Sequence, residues 1–351
     1  MRRFHIVLMA MVVLLMTSAC MSASSPEATT GSEAVPEATA QSEVSPEATT
    51  GSEAVPEATT QNEVSPEATI GSEAVPEATT QSKVSPEATL GSDSAEKRFE
   101  DFNPNNFDRP TNIDNEWFPL RPGTRFVFEG ITVEDDGKAV PHRVEVTITD
   151  LTKMIGDVRT VVYWELDYSD GELVEAELAF YAQDNDGNVW QMGQYPEEYD
   201  AGEVVAAPTW IHGLADARAG IHMEAKPQPG TPSYSQGWGP AVDWTDRGQV
   251  DQMGQQTCVP VGCYEDVLVI AETSQAEPDA QQLKYYARGV GNVRVGWRGE
   301  GEKTKETLEL VKLVKLNKKG LAEARKKALE LEQSAYETSQ DVYAHTPPAE
   351  Y

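Results

Sequence analysis

The sequence predicts a mainly β protein: an antiparallel meander forming a curved sheet or half-barrel, with a C-terminal helix and a disordered N-terminal repeat stalk. Three observations carry this expectation. Apolar and polar residues alternate with period two along much of residues 126–316. Short Asp-Gly and Gly-rich turns separate the alternating runs, which makes successive strands antiparallel neighbours. Residues 25–94 instead repeat a proline-containing decamer with almost no large apolar side chain to bury. The 351 residues divide into a signal segment (1–19), a stalk (20–94), a β-rich domain (95–316), and a helix with polar tail (317–351).

Residues 1–19 have the parts of an export signal. Arg2 and Arg3 precede an uncharged apolar run from Ile6 to Met16. That run is short of the roughly 20 residues that cross a hydrocarbon core. Ser18-Ala19-Cys20 follows, with small residues just before one cysteine. This arrangement resembles the signal of bacterial lipoproteins, although Thr17 stands where their lipobox usually has Leu. The resemblance implies cleavage before Cys20, a covalent lipid (palmitate) on Cys20, and a place in the cell envelope, on the outer membrane or cell surface. Met21 rather than Asp follows the cysteine, so the usual inner-membrane retention signal is missing.

The stalk is a set of tandem decamers with prolines at Pro26, Pro36, Pro46, Pro56, Pro66, Pro76 and Pro86, each followed by Glu-Ala-Thr. Proline at this spacing interrupts any helix, and a solenoid would need a buried face that the repeat lacks. Such a chain spans about 45 Å as a coil and about 215 Å fully extended. Its Thr, Ser and Pro content suits O-glycosylation.

From Phe99 onward aromatic residues enter. Phe126 and Phe128 share a face, and Val144, Val146 and Ile148 alternate with Arg143, Glu145 and Thr147. Trp164, Leu166 and Tyr168 form an apolar face interleaved with Glu165 and Asp167, and Val174, Ala176, Leu178 and Phe180 follow. Further strands are expected at 188–194, 265–273, 283–288, 292–297 and 306–316, with one face buried and one wet. Turns are marked by Asp135-Asp136-Gly137, Ser169-Asp170-Gly171, Asn185-Asp186-Gly187 and Gly289-Val290-Gly291-Asn292. About ten strands in one sheet must curl. Residues 200–250 interrupt the meander with a loop holding Trp210, His212, His222, Trp238 and Trp244, too rich in Trp for disorder. From Lys318 to about Thr338 a helical stripe of Leu321, Ala324, Ala328, Leu331 and Ala335 appears, which docks on the sheet or frays outward.

The formal net charge of −30 is spread over stalk and domain; in residues 25–94, twelve Glu and one Asp face only Lys83. Such a surface repels nucleic acid and anionic lipid headgroups. Beyond Cys20 the chain has only Cys258 and Cys263, which bracket Val-Pro-Val-Gly. A hairpin turn there brings the pair within bridging reach in an oxidising compartment.

Several blocks resemble a family of secreted bacterial β-rich proteins that has no established activity. They are Trp117-Phe118-Pro119-Leu120 with Pro122 to Gly130, Tyr181-Ala182-Gln183-Asp184 with Gly187-Asn188-Val189-Trp190, and Lys284-Tyr285-Tyr286-Ala287 with Gly289-Val290-Gly291. The resemblance implies one domain over most of residues 112–298 and implies no reaction.

Chemistry is sparse. Asp184-Asn185-Asp186-Gly187-Asn188 lacks the ligand spacing of an EF-hand and suits a turn. His212, Asp216 and His222 offer donors for zinc, without a helical i, i+4 spacing or an H-E-x-x-H motif. No nucleophile elbow or phosphate-binding loop is present. Tyr181, Trp190, Trp210, Trp238, Trp244 and Tyr286 are candidates to line a ligand groove. The expectation is a membrane-anchored extracytoplasmic lipoprotein displaying a binding or interaction domain on an acidic spacer. Its partner is a protein, glycan or small molecule, with no cofactor beyond the lipid. The alternative is an extracytoplasmic, hydrolase-like and possibly metal-dependent enzyme with its site in the 200–250 loop.

Overall fold

The computed structural model describes residues 97–351, apart from 134–136 and 303–304. The signal run, Cys20, the decamers and Asp135-Asp136 lie outside the described residues. The first alternating runs form a five-strand meander: β1 (Thr124–Val133), β2 (Ala139–Ile155), β3 (Val158–Ser169), β4 (Glu172–Gln183) and β5 (Val189–Asp200). Asp170 and Gly171, both with positive φ, make the β3–β4 turn, as Asp-Gly between alternating runs demands. Residues 200–250 hold five short strands: β6 (Glu203–Ala206), β7 (Trp210–Ile211), β8 (Arg218–Met223), β9 (Tyr234–Ser235) and β10 (Gly237–Trp238). A second meander follows: β11 (Arg247–Val259), β12 (Gly262–Ser274), β13 (Glu277–Ala287), β14 (Gly291–Arg298) and β15 (Lys305–Lys315). The helix α1 (Lys318–Thr338) completes the order.

All of these strands belong to one antiparallel sheet. Its path is β10-β8-β5-β4-β3-β2-β1-β15-β14-β13-β12-β11-β9, with β6 and β7 also paired to β5. β1 and β15 join the two meanders, and Gly130 lets them meet: a Cβ there would lie 1.8 Å from the Thr307 carbonyl oxygen. The hydrogen-bonded path does not close. Its two ends nevertheless belong to consecutive stretches of chain separated by Gln236, β9 pairing with β11 and β10 with β8.

The sheet is buried on both faces over β2 to β5, which departs from the expected wet face. Phe126, Phe128, Val144, Val146 and Ile148 point to the concave side together with Leu268, Ile270 and Leu310. Leu151, Val162, Trp164, Leu178, Phe180 and Met192 point to the other side, where α1 covers them. The Asn317 side chain caps α1 by accepting from the Gly320 amide at 2.9 Å. Ala324, Ala328, Leu331 and Ala335 form its buried stripe, the small alanines allowing close approach. Burial of Leu331 contributes about 1.5–3 kcal/mol. The chain beyond α1 also packs down: Tyr343 is buried, and Glu350 pairs with Thr152 of β2.

The second consequence of this layering concerns β3. Because α1 covers Trp164, the alternate residues Tyr163, Glu165 and Asp167 face the concave side rather than solvent. The expected assignment of Glu165 and Asp167 to a wet face is thereby corrected; they are 4% and 1% exposed.

Candidate functional site

The concave side encloses a pocket. Residues of β1, β2, β3, β4, β8, β13, β14 and β15 line one space, joined by the Phe118-Pro119-Leu120 segment and the Val290-Gly291-Asn292 turn. The segment before β1 is held in place by Asn115. Its Oδ1 accepts from the amides of Trp117 and Phe118, and its Nδ2 donates to the carbonyls of Gly187 and Glu224. This fixes Phe118 against Tyr181 and His222, with ring centroids 5.3 and 4.4 Å away. Tyr163 packs edge-on to Tyr181 at 5.4 Å, and Tyr286 lies 6.3 Å from Phe118.

One part of the wall is therefore apolar, made by Phe118, Phe126, Phe128, Val144, Val146 and Leu308. The rest is polar. Burial pushes the His222 pKa down to about 3, so its ring is neutral, and burial raises the Tyr181 and Tyr286 hydroxyls well above their ordinary range. The Tyr181 hydroxyl is fully buried and has no hydrogen-bond partner among the described residues. Lys284, Glu165 and Glu306 complete the lining.

Strand register adds carboxylates to this side. Glu165 stands opposite Glu177, and Asp167 opposite Glu175, which in turn stands opposite Glu198. Glu272 continues the face of Leu268 and Ile270, with Gln236 Nε2 donating to it at 2.9 Å. Like charges directly opposite in a sheet repel. The Glu198 pKa is pushed up to about 7, first by burial and then by the charge of Glu175.

His142 ties the polar end together. Its Nε2 lies 2.7 Å from Asp167 Oδ1, and its Nδ1 lies 2.8 Å from Thr132 Oγ1 and 3.2 Å from Glu306 Oε1. Gln282 Nε2 donates to the other oxygen of Glu306. Thr132, His142 and Asp167 stand in line like a nucleophile, base and orienting acid. Thr132 is only 6% exposed, however, and shares its imidazole nitrogen with Glu306, so the contacts join four strands rather than open onto a substrate.

Of the sequence candidates, Tyr181 and Tyr286 line this pocket and the tryptophans lie elsewhere. Trp190 is on the opposite face, packed on Phe102 at 5.3 Å and donating Nε1 to Asp184 at 2.8 Å. Asp184 also accepts from the amides of Asp186 and Asn188, which makes its segment a turn. Trp210 and Trp244 stack on each other at 5.8 Å, while Trp238 packs on Phe99 and beneath Arg98. His212 packs tilted against Phe102, ring centroids 4.4 Å apart, with Nδ1 accepting from the Ala219 amide, and burial lowers its pKa. His222 is on the concave side and Asp216 in an exposed turn, so these three are not brought together. Among the described residues, no group of three His, Cys, Asp or Glu side chains is placed to hold a metal ion. Cys258 and Cys263 are bonded to each other across the β11–β12 turn.

No protein-family model and no curated protein matches the chain. Two solved structures show a loose likeness. A protein of Bacteroides fragilis, inferred to be exported and described as having a YmcC-like fold, aligns at 13% identity and a TM-score of 0.34, covering 57% of this chain and 100% of its own. An inferred lipoprotein of Parabacteroides distasonis aligns at 13% identity and a TM-score of 0.29, covering 57% and 99%. Likeness at this level bears on neither fold nor function here.

Sequence inspection missed the concave carboxylates. With 58 Asp and Glu in the chain, no pair stands out by abundance. The available signal was the strict alternation of Glu165 and Asp167 within a strand, and of Glu175 and Glu177 in the next. Which face they occupy depends on what covers the other face.

Proposed function

We propose that this chain is an extracytoplasmic lipoprotein, anchored through Cys20, whose β-domain binds a small amphipathic molecule on the concave side of its sheet. The pocket carries the proposal: an aromatic and aliphatic wall runs into a polar end where the Tyr181 hydroxyl is buried without a hydrogen-bond partner among the described residues. Ligand sites are concave and mostly apolar, with a few polar groups that fix orientation. The Cys258–Cys263 bond suits an oxidising compartment, and the signal-like segment with Cys20 suits export and lipidation. The stalk between them suits a spacer that lifts the domain from the membrane.

Binding is tested with the full mature chain and the apolar fluorophore N-phenyl-1-naphthylamine. Saturable, one-site emission enhancement is expected, with affinity about tenfold weaker in Phe128→Ala. Unchanged circular dichroism of that variant separates a lost contact from a lost fold. Wild-type protein that gives no saturable signal refutes the binding proposal. Anchoring is tested by Cys20→Ala, which should leave the membrane fraction; retention at the wild-type level refutes it.

A further inference from the structure

Hydrogen-bond donors on the concave side stand without acceptors among the described residues. Tyr181 of β4 is 0% exposed, its ring 5.4 Å from Tyr163 and 5.1 Å from His222, and its buried hydroxyl has no such partner. Burying a hydroxyl unpaired costs free energy, and phenylalanine would fill the same space without that cost. Tyr286 and Lys284 line the same pocket, both buried, and neither side chain makes a hydrogen bond or ion pair among the described residues. His222, held neutral by burial, carries one further ring N–H. The carboxylates of this side are already engaged. Glu306 accepts from Gln282 and lies 3.2 Å from His142, Asp167 lies 2.7 Å from His142, and Glu272 accepts from Gln236. Donors without acceptors, beside acceptors already served, call for a guest that brings acceptors of its own.

Resting on the proposal that this pocket takes a ligand, we infer that the ligand is an uncharged amphiphile with a carbonyl head, the ester, amide or ketone of an acyl chain. Its oxygen accepts from the Tyr181 hydroxyl, and the second lone pair stays open to the neighbouring donors. Its hydrocarbon part lies against Phe126, Phe128 and Leu308, which removes apolar surface from water. The charge balance of the donors favours a neutral head. Burial keeps the Tyr181 and Tyr286 hydroxyls protonated, and the His222 ring is uncharged. Lys284 stands diagonal to Glu272 across the β12–β13 register, and its charge is among those that hold the Glu272 carboxyl down although burial works to raise it. An anionic head would compete with Glu272 for that ammonium. An ammonium head would set donor against donor.

The experiment displaces N-phenyl-1-naphthylamine from the full mature chain with 2-decanone, decanoate and decylamine, matched in length. Sodium chloride at about 0.3 M screens attraction to the acidic exterior. 2-Decanone is expected to act at about one tenth of the concentration that either ion needs. In Tyr181→Phe its affinity should fall about tenfold, while the fluorophore, which carries no carbonyl, binds within about twofold of wild type. The ligand-free variant should melt at or above wild type, because it sheds an unpaired hydroxyl. Either ion displacing as well as the ketone overturns the uncharged carbonyl head but leaves the pocket standing. An unchanged ketone affinity in the variant does the same, since Tyr181 would not be the donor. A ligand-free variant that melts lower shows a hydroxyl already partnered, and overturns the inference too. A fluorophore that binds but yields to no competitor overturns the inference alone. Failure of the fluorophore itself to bind saturably removes the pocket proposal.

Discussion

Lys153 offers the sharpest test of how the outer layer is held. It is 0% exposed, and its ammonium donates to Glu332 of α1 at 2.6 Å, the Pro347 carbonyl at 2.6 Å and the Tyr336 hydroxyl at 3.1 Å. The Tyr343 ring lies 4.4 Å away. Glu332 in turn accepts from the Tyr343 hydroxyl and the Ala349 amide. Burial lowers the Lys153 pKa, against the raising effects of the Glu332 hydrogen bond and charge, so desolvation outweighs the attraction of the pair. Replacing Lys153 by Met keeps most of the volume but strands the Glu332 carboxylate in the interior. Loss of one partner of a buried pair costs about 3–5 kcal/mol. For a domain of this size each kcal/mol moves the melting temperature by about 2–4 °C, so Lys153→Met should lower it by about 10 °C. Adding Glu332→Gln removes the stranded charge yet still accepts from Tyr343 and Ala349. The double variant should recover half the loss or more. Differential scanning calorimetry at neutral pH reads both. A single variant within about 2 °C of wild type, or a double variant no better than the single, refutes the account of a desolvated charge pair.

Two further outcomes follow from the same contacts. The folded Glu198 carboxyl, with its pKa pushed up to about 7, holds a proton that the unfolded group at 4.5 has released. Wild-type stability from this group is thus lost as pH rises from about 4.5 to 7. After allowance for its partial exposure, Glu198→Gln should gain about 1–2 kcal/mol at pH 8 and almost nothing at pH 4, read as melting temperature; equal gains at both would contradict the assignment. Removing the Cys258–Cys263 bond with two serines should cost no more than about 2 kcal/mol in urea denaturation, since the bond closes a short hairpin already paired in β11 and β12. Global unfolding of that variant would show instead that the turn organises the whole second meander.

The meander was legible from the chain alone wherever alternation and turn residues agreed. Val144, Val146 and Ile148 fall on one face as their spacing requires, and Ala324, Ala328, Leu331 and Ala335 form the docked stripe of α1. Period two says which residues share a face but not which face is the hollow. In β3 the large apolar residues marked the face under α1, so Trp164 misdirected the assignment of Glu165. The 200–250 segment was opaque for another reason. Its strands are two to six residues long, and their partners lie in β5, β8 and β11. Contacts so distant in sequence leave no local period. The tryptophans found separate neighbours for the same reason: Trp210 meets Trp244, while Trp190 meets Phe102.

The five residues Tyr234–Trp238 have a consequence for how the domain is made. Among the described residues they alone serve both termini of the strand path, reaching β11 through one pair of residues and β8 through another. A sheet of this extent would otherwise offer two long templates on which another chain could add a strand. At Gly220 the approach is so close that a Cβ would meet the Gly237 nitrogen at 2.2 Å. No side chain, and no foreign strand, fits between them. The segment cannot make all its hydrogen bonds until both meanders stand, so it acts as a late clasp. The hazard of intermolecular pairing along those edges ends when that clasp sets.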